Sequence, residues 1–229
     1  MKTFLTAVLR HSPWPFRRPR ASAVESPSIS ITAGSVAGLL AGLLTAVVFL
    51  IASALLPVRV ALMIAILFGV VASLPRSTHT HWHQPIGPRS ALALGLLILA
   101  KLELMSEIEQ DWIPVTLICS AGWARAAVLA ARRDPVVSLP AASPAARTMA
   151  FAVGALPLAF FGLWPEPVFG LWVAALASLL LAATLKPRGW ASPLATRWLA
   201  LEVLYCLCVL ILMSAASLGE MAEDEAAAS

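Results

Sequence analysis

Seven apolar stretches, each long enough to cross a bilayer, constrain this chain more than any motif it carries. They lie at about residues 31–56, 58–75, 89–105, 113–131, 148–164, 167–185 and 195–216. A hydrocarbon layer about 30 Å thick takes roughly 17–25 residues of α-helix. A transmembrane β-barrel needs alternating segments of about ten residues instead, and these runs do not alternate. Prolines mark the seams, at Pro57, Pro75, Pro85, Pro88, Pro135, Pro144, Pro165, Pro167, Pro187 and Pro193. The expected fold is therefore an all-α integral membrane protein, a bundle of about seven transmembrane helices over 31–217. Residues 1–30 read as a cytoplasmic segment with a short interfacial helix and a Pro, Ser and Arg-rich linker. Residues 218–229 read as an acidic, disordered tail.

Composition agrees. The chain is 60% apolar and 12% charged, against roughly 45–50% and 25% in soluble domains. That excludes an ordinary soluble domain, and so much aliphatic surface excludes a disordered one. A net charge of +4 would suggest nucleic acid in a soluble protein. Here, however, the basic residues flank apolar runs, so they report orientation and no nucleic-acid partner is expected. Thirteen of the sixteen basic residues fall before the first stretch or between stretches two and three, four and five, and six and seven. The other side collects Glu103, Glu107, Glu109, Asp111, Glu166 and the acidic run at 220–225, with Arg59 as the basic outlier. The amino terminus is expected in the cytoplasm and the carboxyl terminus outside, in the inner (cytoplasmic) membrane. The apolar run at 4–9 is shorter than the 7–15 residues of a signal-peptide core, so it reads as an interfacial amphipathic helix.

Lys101, Arg125 and Glu202 stand out within the apolar stretches. Charges in hydrocarbon cost roughly 2.5–3.5 kcal/mol on insertion scales, so each should face the bundle and find a partner. Counting about 1.5 Å per residue puts Arg125 roughly 10 Å, and Glu202 roughly 8 Å, from the cytoplasmic end. Their matching depths make Arg125–Glu202 the expected ion pair, with Lys101 free either to act in the bundle or to snorkel outward. His79, His81 and His83 alternate, which in extended chain places three imidazoles on one side: a metal or phosphate patch, or an interfacial loop with Trp82 among headgroups. Cys119, Cys206 and Cys208, odd in number and without a C-x-x-C, read as buried thiols rather than disulfides or a zinc site. Gly34, Gly38 and Gly42 form a ladder of small residues that lets another helix approach closely. No phosphate-binding loop, zinc-protease or serine-hydrolase motif is present, and no catalytic residue can be named.

The order of these parts resembles the cobalamin synthase family, also called adenosylcobinamide-GDP ribazoletransferase. The amphipathic start FLTAVLRHSPWP at 4–15, the glycine ladder, Ile86-Gly87 with Lys101 fourteen residues on, Arg125 in SAGWARAAVL, and the stretch from Leu194 to Glu202 are similar in kind and order to the family's segments. The resemblance implies a transferase that joins α-ribazole or its phosphate to adenosylcobinamide-GDP in the nucleotide-loop step of cobalamin biosynthesis, with Mg²⁺. It also implies that Lys101, Arg125 and Glu202 line the bundle, and that Arg76, Arg89, Arg188 and Arg197 meet phosphates from the cytoplasmic side. The family's acidic D-G-x-A-D-x-x-D-G motif is missing: LPRSTHTHWHQPIG at 74–87 holds no carboxylate, and the chain has three aspartates, Asp111, Asp134 and Asp224. His79, His81 and His83 would then have to hold the metal. The alternative is a non-catalytic relative that binds corrinoid or assembles with other cobalamin-assembly proteins at the membrane.

Overall fold

The computed structural model describes residues 27–73, 88–130, 143–161, 173–178, 180 and 194–228. Among these there is no strand. Six α-helices follow one another: α1 (Pro27–Ser53), α2 (Val58–Ser73), α3 (Pro88–Ser106), α4 (Ile113–Ala130), α5 (Pro144–Phe161) and α6 (Leu194–Ala228). A 3-10 turn at Gln110–Trp112 leads into α4, and residues 173–178 are helical as well. Each of the seven apolar stretches thus contains helix.

The ends follow ordinary capping chemistry. Ser143 caps α5, its Oγ accepting from the Ala146 amide at 3.2 Å, with Pro144 at the first helical position, where an amide proton would have had no partner. After α1 the amides of Leu55 and Leu56 turn back to the Ala52 carbonyl, and Pro57 accepts from Val60 and Ala61 as α2 begins. Proline here separates two helices that would otherwise run together.

The carboxyl-terminal segment differs from expectation. The acidic residues at 220–225 were expected to be disordered, but α6 continues to Ala228 without a break. No proline or glycine pair interrupts it, and Ala, Glu and Met are strong helix formers. Charge alone set the expectation; backbone propensity sets the outcome.

Helix α1 packs most extensively against α4 and then α2, while α4 also carries α5 and α6, and α6 lies against α3. The glycine ladder makes the first of these seams. A Cβ on Gly38 would come within 2.7 Å of Arg125 Cδ, and one on Gly42 within 3.1 Å of the Ile118 Cα and the Leu117 carbonyl. The partners fall from 125 to 117 as α1 rises from 38 to 42, so α1 and α4 are antiparallel. Lys101 with Glu202, and Met105 with Cys206 at 3.6 Å, share one sequence offset, so α3 and α6 run parallel.

Size is distributed in an unusual way. The interior is rich in small side chains, including Ala33, Ala37, Ala41, Ala61, Ala65, Ala124, Ala126, Ser35 and Ser120. Large apolar residues point outward: Leu43, Leu50 and Ile51 on α1, Met63, Leu67 and Val71 on α2, Leu92, Leu96 and Leu99 on α3. Among the described residues, two helices are long and apolar enough to cross a membrane, over Thr32–Ser53 and Arg197–Ala215, and the helix Val58–Val71 is apolar but shorter. Only 44% and 39% of the two long ones is buried inside the protein.

Candidate functional site

Periodicity builds the site on α6. Trp198, Glu202 and Tyr205 follow at spacings of four and three, so they share one face. On α3 the same spacing aligns Leu94, Ile98, Lys101 and Met105. Where these faces meet, Lys101 donates a hydrogen bond to Glu202 Oε2, and the two form a salt bridge. Lys101 is 5% exposed and Glu202 9%. Two charges this far from solvent are held only because each neutralises the other, since desolvation costs several kcal/mol per ion.

The salt bridge adds a partner that the depth estimate did not select: Glu202 takes Lys101, and Arg125 is equally buried beside them. Its aliphatic stem lies along Gly38, and its guanidinium sits over the Trp198 ring, 5.0 Å from the centroid. That is cation–π range, where a desolvated arginine gains about 2 kcal/mol. Arg125 still feels the charges of both Glu202 and Lys101, so the three form one cluster with Glu202 at its centre. Snorkelling of Lys101 is overturned: its ammonium turns inward. Depth counted from the nearest flanking charge ignored which face each residue occupies and how far each helix extends past the apolar layer.

Around the cluster lie groups that no sequence pattern selects. A cavity of about 40 Å³ is lined by Thr45, Ile66, Leu94, Lys101, Trp198 and Glu202, among others from five of the six α-helices. Trp198 Nε1 is buried without a hydrogen-bond partner among the described residues, and Tyr205 lies beside the Cys119 thiol. Trp123, by contrast, donates to the Ala175 carbonyl at 3.1 Å. A tryptophan next to an arginine at a helix start reads as an interfacial anchor in sequence, which conceals its role under Arg125. The three cysteines are buried and free, as expected.

His79, His81, His83, Arg76, Arg188 and the amino-terminal helix lie outside the described residues. Arg89 opens α3 with no side chain described, and Arg197 is exposed. The Mg²⁺ that the resemblance implies does not fit the cluster itself. Glu202 is its only carboxylate, already engaged by an ammonium and close to a guanidinium, whereas Mg²⁺ is held through carboxylates and phosphates at near-octahedral geometry.

No family model matches the chain, no curated protein is significantly similar to it, and no solved structure matches its fold.

Proposed function

We propose that the chain is an integral protein of the cytoplasmic membrane built on the cobalamin synthase scaffold, and that it serves the nucleotide-loop step as a binding or assembly partner rather than as the transferase. One observation carries this reading. Lys101, Arg125 and Glu202, the three charged residues that the resemblance places in the bundle, come from three helices far apart in sequence and meet in one buried cluster.

The exterior supports the membrane half. Bundles in lipid gain nothing from burying large aliphatic side chains, so they turn small residues inward for close packing and leave large ones to the acyl chains. A water-soluble protein rarely exposes a broad apolar surface. The helix directions are those of a seven-span chain, stretches three and seven parallel and one and four antiparallel, and the distribution of basic residues puts the amino terminus in the cytoplasm. Arg76, Arg89, Arg188 and Arg197 then belong to the cytoplasmic side, where corrinoid and α-ribazole phosphate would arrive. Missing carboxylates at 74–87 and a cluster unsuited to Mg²⁺ favour binding over transfer.

The test is turnover and binding on the full-length protein in lipid vesicles. Adenosylcobinamide-GDP, α-ribazole phosphate and either Mg²⁺, Zn²⁺ or EDTA are supplied beside an active transferase control. The expected result is no cobamide by chromatography, together with saturable retention of the coloured corrinoid. Metal-dependent product would overturn the non-catalytic assignment and direct mutagenesis to His79, His81 and His83. Neither product nor retention would overturn the corrinoid reading altogether.

A further inference from the structure

From the geometry of the central cavity we infer a built site for ordered water that bridges the indole of Trp198 to the Lys101–Glu202 pair. The cavity of about 40 Å³ has room for roughly three waters, since each needs about 10–15 Å³ by the same measure and two to four polar partners. Those partners are present. Lys101 has three ammonium protons and gives one to Glu202 Oε2. Glu202 keeps a second oxygen. Thr45 Oγ1 donates to the Ala41 carbonyl at 2.7 Å, which leaves its lone pairs to accept.

Trp198 supplies the donor that lacks a partner among the described residues. Its Nε1 is a donor only, it is buried, and no acceptor among the described residues reaches it. A buried donor left without an acceptor forfeits the hydrogen bond it made to water in the unfolded chain. Water between this indole and the carboxylate removes that cost and solvates the ion pair from within the bundle. Apolar cavities stay dry, but this one has an ion pair in its wall. The wall drawn from Ile66 and Leu94 fixes the water at the polar end.

The test uses the full-length protein in nanodiscs with ¹⁵N-labelled tryptophan, the eight indoles assigned by single Trp→Phe changes. Trp123 is the internal control, since its indole proton is held by the Ala175 carbonyl. The expected result is a water cross-peak at the Trp198 indole and exchange into D₂O on the order of tenfold or more faster than at Trp123. Leu94→Phe, which fills the cavity from α3, should slow the Trp198 indole and leave Trp123 unchanged. Equal protection of the two indoles in the unmodified protein would overturn the inference without any variant. Unchanged Trp198 exchange in folded Leu94→Phe would also overturn it, because water would then be reaching the indole by another route.

Discussion

Along the α1–α4 seam, Gly38 and Gly42 remove side chains so that one backbone rests on another. Nearby, where α6 meets α3 and α4, the helices carry an ammonium, a carboxylate and a guanidinium instead. The first seam draws its stability from dispersion at close range, which is non-specific in chemistry and demanding in shape. The second draws it from charge neutralisation, which tolerates looser packing and leaves a cavity. Arg125 belongs to both, its stem against Gly38 and its guanidinium over Trp198. The comparison separates two ways of holding helices together: one fails when a group is added, the other when a group is taken away.

Removing Glu202 should therefore have the largest effect. Glu202→Ala leaves the Lys101 ammonium buried without its counter-ion and should destabilise the protein by about 3–5 kcal/mol, read as denaturant unfolding in detergent. Lys101→Met combined with Glu202→Gln should recover much of this. If Arg125→Met combined with Glu202→Gln recovers more, the dominant partner of Glu202 is Arg125 after all.

Adding bulk to the glycine seam comes next. Gly42→Leu must push α1 off the α4 backbone and should cost about 1–3 kcal/mol, the usual range for overpacking. The two kinds of seam differ in kind only if no charge substitution nearby offsets the loss. Gly95 on α3 is the control, because a Cβ there meets nothing within 4 Å. Gly95→Ala should instead stabilise by about 0.5–1 kcal/mol through helix propensity alone. A loss there would mean that an unseen neighbour covers that face.

The smallest change is expected at the exposed pair Arg59–Glu107, 3.9 Å apart. Arg59→Gln should move stability by a few tenths of a kcal/mol, about what solvated ion pairs contribute. This contact also places the one basic outlier beside an acidic residue at the end of the bundle where negative charge collects.

The amino-acid sequence determined the helices and their main seams. Proline breaks and apolar length are local signals, and the glycine ladder is a local pattern whose consequence, a close neighbour, holds whichever helix that neighbour is. It also singled out Lys101, Arg125 and Glu202, because ionisable groups in apolar runs are rare for a strong energetic reason. Helix propensity in the tail is equally legible, since Ala, Glu and Met favour helix whatever their net charge. Only the tertiary structure decided which cation Glu202 takes. Sequence gives a residue's height along its own helix; it does not give the rotation of that helix, nor how one helix slides against the next. Those depend on the sum of all packing contacts, and a shift of one residue turns a side chain by about a quarter turn. Pairing, the stacking of Arg125 on Trp198, and the cavity between them all lie in that rotational and axial register, which no short stretch of sequence encodes.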